Sequence, residues 1–247
     1  MPPERNHARP HDRLRPCRIR PAFTTEPPGS ALVEWGRTLV LCTVSAESGV
    51  PPFREGERAG WLTAEYAMLP GSGDRRKPRG ADGRAREIGR MIGRTLRASL
   101  DLDDLGPLTL RVDCDVLQAH GGTRTASVTG AWVALALAMK SLGARGWTCP
   151  PEPPRQVAAV SVGLVGGVPL LDLDRDEDQA ASVDMNVVMN ADGGFHEIQG
   201  ASEKGQFSPG ELEAMLALAR KGLTEIFALQ TQALEQRGSM RTSWEAP

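Results

Sequence analysis

The stretch Gly121–Ala138, GGTRTASVTGAWVALALA, places two glycines, an arginine and three hydroxyl side chains directly before a run that is apolar almost all round. Such a run is typical of a helix buried at the centre of a protein. The first turn of a helix exposes unpaired backbone N–H groups and a partial positive charge, which favour a bound anion. The stretch therefore predicts a central helix whose glycine-rich N-terminus binds an anion, and we expect phosphate.

The segments around this helix predict an α+β fold in which a mostly antiparallel or mixed sheet is covered by a few helices. We expect one compact domain over residues 17–247, preceded by an irregular tail at residues 1–16 that becomes ordered only against a partner. A mobile loop is expected over residues 71–83. Before the central helix we expect, in chain order, two strands in SALVEWGRTLVLCTVS, a strand in WLTAEYAML, a helix in RAREIGRMIGRTLRASL and a strand in LTLRVDCDVLQA. After it we expect two hairpins, the first made by VAAVSVGLV with VPLLDLD and the second by VDMNVVMN with GFHEIQG. The last predicted element is a helix from Ser208 to Arg237.

Charge is distributed unevenly along a chain whose formal net charge is only −2. Residues 74–97 contain nine Lys or Arg against three acidic residues, and residues 172–184 contain six acidic residues against one arginine. The net charge argues against a protein coated with basic residues. The two segments instead predict a local site for a polyanion beside a local site for a metal ion.

The cysteines and the apolar runs exclude several other classes of protein. The four cysteines are widely scattered, with no C-x-x-C pair or histidine cluster to complete a zinc site. Reduced thiols and a cytoplasmic location fit this pattern. The N-terminus lacks the apolar core of a signal peptide, and the run Ala131–Met139 is too short to span a bilayer, so we expect no membrane role.

A series of motifs runs in order from about Pro16 to the last helix: GSALVEWGRTLVLCTVS, VPPF, GWLTAEYAMLPG, GRAREIGRMIGRTLRASLD, VDCDVLQAHGGTRTASVTGAWVAL, AAVSVGLV, LLDLD, DMNVVM and EIQG. This order resembles that of the ribonuclease PH family, whose fold is shared by polynucleotide phosphorylase and exosome ring subunits. The resemblance implies a ribonuclease PH-type fold and a homohexameric ring of three dimers. It also implies a 3′-to-5′ exoribonuclease that trims tRNA precursors, in which inorganic phosphate attacks the terminal phosphodiester and releases a nucleoside diphosphate.

The resemblance further implies which residues bind phosphate. Gly122, Thr123 and Arg124 match the phosphate-binding turn of the family, and Arg84 matches its second phosphate arginine. Ser127 lies within reach of the same turn in the sequence. The residues alone leave open a simpler interpretation, a loop-to-helix junction capped by a threonine.

Asp178 and Asp184 match the acidic pair of the family's reaction centre, where they would bind Mg²⁺, with Mn²⁺ as the alternative. Asp184 is a candidate metal ligand or general acid. The other acidic residues of this run are expected to form a solvated turn; they are Asp172, Asp174, Asp176 and Glu177.

The basic loop before the first helix corresponds to the family's RNA-holding loop, and here its residues would be Arg75, Arg76 and Arg79. The arginine stripe of the following helix is expected to serve subunit contacts or the approach of RNA; it contains Arg90, Arg94 and Arg97. We expect most aromatic side chains to lie in the core and assign none of them to RNA.

Four features depart from the family pattern. His120 stands where the family commonly has Asp, Arg175 where it has Tyr and Gly89 where it has Gln, and the basic loop is shorter. We expect these departures to change the path of the RNA and the contacts between subunits of the ring. Two other interpretations stay open: a catalytically silent RNA-binding ring subunit, and an active subunit that needs a second kind of chain.

Overall fold

The computed structural model describes residue 5 and residues 8–57, 59–80, 82–203 and 205–236. They form an α+β fold, as the sequence predicts, with two sheets and four helices. The first sheet has the strand order β1-β2-β3-β5-β4 and is antiparallel except for the parallel pair β4 and β5. Its strands are β1 Cys17–Pro21, β2 Gly29–Trp35, β3 Thr38–Ser48, β4 Trp61–Met68 and β5 Leu108–Gln118.

The second sheet is antiparallel throughout, with the order β7-β6-β8-β9. Its strands are β6 Val157–Val165, β7 Val168–Leu171, β8 Val183–Asn190 and β9 Phe195–Ser202, and the helices are α1 Gly83–Ser99, α2 Thr123–Ala144, α3 Arg175–Ala180 and α4 Pro209–Gln236. Residues 70–80 and residue 82 are irregular, in the position of the predicted loop. The two predicted hairpins are present, and their turns contain Gly166 with Gly167 and Gly193, all with positive φ angles.

Helix α2 is the central element, because it packs against strands of both sheets and against α1 and α4. Most of its residues are buried, and one hydrophobic core contains residues of both sheets. The helix is longer than the apolar run Ala131–Met139, and its 22 residues are long and apolar enough to cross a membrane by length and composition. However, 78% of the apolar window is buried inside the protein, which accounts for its apolar character.

Helix α1 lies along β4 at very short range. A Cβ atom at position 89 would lie 2.9 Å from the carbonyl oxygen of Ala64, so the glycine at this position permits the close packing. The arginines of the helix make contacts within the chain: the guanidinium of Arg97 lies over the Trp61 ring and donates to the carbonyl of Leu62.

The acidic run after β7 differs from the solvated turn that we expected. Asp172, Asp174 and Glu177 are buried, with 1%, 3% and 8% of their surface exposed, and only Asp176 of the four is exposed. The run forms α3, and Asp174 and Glu177 make a reciprocal capping box at its start. The physical reason lies elsewhere in the chain, since buried carboxylates require counter-charges that periodicity cannot reveal.

Those counter-charges come from the N-terminal segment. Residues 8–16 are irregular, as expected, but they pack on β7 and α3 of their own chain rather than awaiting a partner. Arg5 and Arg9 pair with Glu177, and Arg15 pairs with Asp172. The expectation that the segment orders only against a partner is therefore wrong for its described residues.

Candidate active site

A pocket of about 800 Å³ opens where four parts of the fold meet. Its walls are the end of β4, the basic loop with the start of α1, the turn before α2, and α3. The lining includes four residues that were chosen from the sequence, namely Arg75, Arg84, Thr123 and Asp178. The pocket thus brings together a basic loop, a helix N-terminus and an acidic helix that lie far apart in the sequence.

The turn before α2 depends on its two glycines. Gly121 and Gly122 have φ angles of +81° and +68°, in the left-handed region that favours glycine. A Cβ atom at position 121 would lie 2.6 Å from the backbone carbon of Asp174, so the turn packs directly on the acidic segment. Among the described residues, no side chain caps the helix. Its first N–H groups are therefore free of a side-chain acceptor and suited to an anion.

Thr123 begins α2 and faces the pocket beside Tyr66. The two hydroxyl oxygens lie 2.9 Å apart, within hydrogen-bond distance. Burial raises the pKa of the Tyr66 phenol, and the bond to Thr123 and the charge of Arg84 oppose this only in part. The phenol therefore remains protonated at neutral pH. Tyr66 is a site residue that the sequence reasoning left unassigned, although it stands inside the motif GWLTAEYAMLPG and is the only tyrosine of the chain.

Two arginines provide positive charge at the pocket. Arg84 is exposed in the first turn of α1, whose start is capped by the Asp82 carboxylate accepting from the Ala85 N–H at 2.7 Å. Arg124 is only 15% exposed in its side chain and donates to Oε1 of Gln199. It also lies 3.7 Å from Glu87, and the Gln199 amide in turn donates to Glu87 at 3.0 Å.

Asp178 and Asp184 come from different elements, α3 and β8, and interact through space. Burial raises the pKa of Asp178, repulsion by Asp184 raises it further, and Arg84 and Arg124 lower it in part. The charges of Asp184, Arg84 and Arg124 therefore all act on Asp178.

The two carboxylates suit a divalent ion that also binds substrate. Among the described residues, no group of three or more His, Cys, Asp or Glu is arranged to hold a metal alone. Mg²⁺ commonly takes only one or two carboxylates and completes its shell with water and phosphate oxygens. The mutual repulsion of Asp178 and Asp184 is what a bound cation relieves, so the residues fit the ion.

Two of the predicted groups are placed differently from the rest. Ser127 is fully buried, and its hydroxyl donates to the carbonyl of Thr123 at 2.8 Å within the helix, which uses its proton away from the pocket. In the basic loop, Arg75 and also Lys77 line the pocket, whereas Arg76 and Arg79 are exposed outside its lining.

The basic loop is tied to α3 by the departure at position 175. Arg175 forms an ion pair with Asp74 across the mouth of the pocket. The hydrogen bond from Arg175 lowers the pKa of Asp74. An arginine in place of the family's tyrosine therefore connects the shortened loop to the acidic helix.

Comparison with known proteins agrees with this architecture. The family model described as 3′ exoribonuclease family, domain 1, matches residues 13–141, and the model for domain 2 of that family matches residues 155–222. The structure is similar to rice (Oryza sativa) Rrp46, with a TM-score of 0.75 and 18% identity over 92% of this chain and 98% of that one.

Two archaeal structures are about as similar to this chain as the rice protein is. An archaeal exosome core matches with a TM-score of 0.75 and 20% identity, over 90% of this chain and 89% of that chain. The Archaeoglobus fulgidus exosome, solved with RNA bound to its active site, matches with a TM-score of 0.77 and 21% identity, over 95% of this chain and 92% of that chain. At these identities the structural likeness establishes the fold.

Proposed function

This chain belongs to the 3′ exoribonuclease family, and we propose on that premise that it is a phosphorolytic 3′-to-5′ exoribonuclease of the ribonuclease PH type. The observation that carries the proposal is the pocket itself. It places the N-terminus of α2, the Thr123 hydroxyl and the guanidinium of Arg84 in one space with Asp178, and the charge of Arg124 acts on Asp178. Such a site can hold one anion beside another.

Inorganic phosphate would bind at the start of α2. The N–H groups of the first turn and the two guanidinium groups would offset its charge. The hydroxyls of Tyr66 and Thr123 share a hydrogen bond, and with Tyr66 as its donor the threonine proton would be left for the phosphate. A phosphate oxygen then attacks the terminal phosphorus of the RNA. The new P–O bond forms as the bond to the 3′-oxygen of the preceding nucleotide breaks, which releases a nucleoside diphosphate.

The acidic pair would act on the opposite side of the transferred phosphorus. Asp178 and Asp184 would hold Mg²⁺, or Mn²⁺, and the ion would offset the charge that develops on the phosphate oxygens and the leaving oxygen. The leaving 3′-oxygen also needs a proton. Asp184 would give this proton where it acts as the general acid rather than as a ligand of the ion.

We assign RNA to the same pocket, with tRNA precursors that carry a short 3′ tail as substrates. The exposed loop arginines Arg75, Arg76 and Arg79 supply a positive path for the backbone of that tail. A homohexameric ring and a cytoplasmic location complete the proposal. Its support is the family membership and the likeness to exosome structures, one of which was solved with RNA bound to its active site.

The test is to incubate the purified chain with a tailed tRNA precursor and Mg²⁺, with and without inorganic phosphate, and to identify the released nucleotides. We expect nucleoside diphosphates, only when phosphate is present. The variant Asp184→Asn keeps the shape of the side chain and is expected to bind RNA but release almost no nucleotide.

Each alternative gives a different result in that assay. Nucleoside monophosphates released without phosphate would show a hydrolytic enzyme and overturn the proposal. RNA binding with no release, under conditions in which the chain is folded, would identify a silent ring subunit. Release only after a second type of subunit is added would identify a chain that acts in a mixed ring.

A further inference from the structure

We propose that Arg15, supported by Arg5 and Arg9, is a positioning residue that holds the acidic helix α3 against the glycine turn of α2. The inference rests on the proposed function, because its consequence is the use of phosphate at that site. None of the three arginines lines the pocket. Their effect would pass through the two elements that carry Thr123 and Asp178.

Arg15 joins the two segments that lead into α3 and into the glycine turn. Its backbone N–H and its Nε donate to Oδ2 of Asp172 at 2.7 and 3.0 Å, and one terminal nitrogen donates to Oδ1 at 2.7 Å. The other terminal nitrogen donates to the carbonyl of His120 at 2.7 Å, immediately before the glycine turn. One buried guanidinium therefore spans from the acidic segment to the entrance of α2.

The partners of Arg15 are themselves constrained. Asp172 has a φ angle of +58°, an uncommon conformation for a non-glycine residue that its surroundings must maintain. Its Oδ2 also accepts from the indole nitrogen of Trp35 at 3.0 Å. On the other side, the Thr38 hydroxyl donates to the carbonyl of Gly121 at 2.7 Å. The network leaves the turn little freedom to move away from α3.

Arg5 and Arg9 act on the residue next to the catalytic carboxylate. Arg5 places its Nε 2.6 Å from Oε1 of Glu177, and Arg9 lies 2.9 Å from Oε2 of the same side chain. Oε2 of Glu177 also accepts from the backbone N–H of Asp174 at 2.9 Å. Because Glu177 directly precedes Asp178, these contacts fix the first turn of α3 and with it the position of Asp178.

The arrangement has a kinetic consequence. A displacement of about 1 Å between a bound reactant and its catalytic groups is able to cost on the order of a hundredfold in rate. Losing a fork that holds both elements allows such a displacement between Thr123 and Asp178. Binding of RNA through the exposed basic loop does not depend on this fork.

The experiment compares Arg15→Gln, Arg15→Lys and Arg9→Gln with the wild type. For each protein, the melting temperature, kcat, KM for phosphate and KM for RNA are measured well below the melting temperature. Arg13→Gln is the matched control, since Arg13 is an exposed arginine of the same segment. Leu142→Ala, at the far end of α2, is the control for a loss of stability without a change at the site.

We expect Arg15→Gln to lower kcat/KM for phosphate by about ten- to a hundredfold with KM for RNA unchanged. For Arg15→Lys we expect a kcat/KM for phosphate between those of the wild type and Arg15→Gln, because an ammonium group keeps the charge but not the planar fork. Arg13→Gln and Leu142→Ala should retain wild-type kcat/KM for phosphate. If Arg15→Gln does not fold, Arg9→Gln decides, with an expected loss of at least about threefold.

The inference would be overturned if folded Arg15→Gln had the wild-type kcat/KM for phosphate. It would also be overturned if, at equal stability, Arg15→Gln lost no more of this kcat/KM than Leu142→Ala. The same holds if Arg9→Gln must decide and behaves like Arg13→Gln. Failure of the proposed function gives a different result, namely a wild type without phosphate-dependent release. In that event calorimetric titration with inorganic phosphate decides, and equal affinities of the wild type and the deciding variant would overturn the inference.

Discussion

Arg124 illustrates how a single side chain is prepared for an anion. Its guanidinium is held by the amide oxygen of Gln199 and faces the carboxylate of Glu87. The side chain is therefore ordered, so that little conformational entropy is lost when it turns to a phosphate. Gln199 belongs to the motif EIQG, which the sequence alone connected to no function.

Replacing Arg124 by alanine should lower phosphate-dependent turnover by about a hundred- to a thousandfold, as expected for loss of one preorganised donor. RNA affinity should largely survive, because the basic loop lies on another element. The measurement is single-turnover release at saturating RNA over a range of phosphate concentrations. Arg111→Ala, at an exposed arginine of β5, is the control. Normal turnover by the Arg124 variant would remove this residue from the site.

At the scale of elements, the loop between β4 and α1 is anchored through its first half. The N–H of Lys77 donates to the carbonyl of Pro70 at 2.9 Å, and the N–H of Ala119 donates to the carbonyl of Ser72 at 2.7 Å. Asp74 pairs with Arg175 of α3. The loop therefore forms a wall of the pocket while its arginines remain exposed.

Changing Arg75, Arg76 and Arg79 together to alanine should weaken RNA binding and flatten its dependence on salt. Each lost phosphate contact lowers the slope of log affinity against log salt by about 0.7 for a single strand. The measurement is a binding titration with tailed RNA at several salt concentrations. A control variant removes three exposed cations elsewhere, Arg18, Arg111 and Lys140. An equal change in both variants would show a general effect of net charge.

At the scale of the whole molecule, one face of the first sheet concentrates negative charge that opposes folding. Burial raises the pKa of Asp113, and repulsion by Glu65 and Asp115 raises it further. Ionised Asp113 is thus less stable in the folded chain than in the unfolded chain. This destabilisation is present above the folded-state pKa and disappears as the pH falls to the unfolded-state value of about 3.9.

The variant Asp113→Asn should therefore melt at a higher temperature than the wild type at neutral pH. The difference should shrink progressively as the pH is lowered from about 7 to about 4, where the wild-type carboxyl becomes protonated. Thermal unfolding curves over this range provide the measurement. Asp103→Asn, at an exposed aspartate, makes the same change in net charge. The interpretation would be contradicted if the melting temperatures of Asp113→Asn and the wild type were equal at neutral pH, or if their difference did not change with pH.

The sequence by itself determined the features that depend on neighbouring residues. Alternation and helical periodicity located the strands β2 to β9, the helices α1, α2 and α4, and the glycine turn before α2, whereas β1 was not among the predicted strands. These signals are local, because a side chain reports which face of its own element is buried. The motif order also pointed to Thr123, Arg124 and Asp178 as parts of one site; in the structure Thr123 and Asp178 line one pocket, and the charge of Arg124 acts on Asp178.

Only the tertiary structure decided which polar groups are buried and what they contact. Arg15 and Asp172 are 157 residues apart in the chain, and Tyr66 and Thr123 are 57 residues apart. An acidic run has the same pattern whether it is solvated or neutralised by distant arginines, so its burial and the short helix α3 were not predictable. The helix pattern likewise could not show that the Ser127 hydroxyl is used within α2. Burial of charge is determined by the counter-charge that folding brings to it, and that counter-charge lies in another part of the sequence.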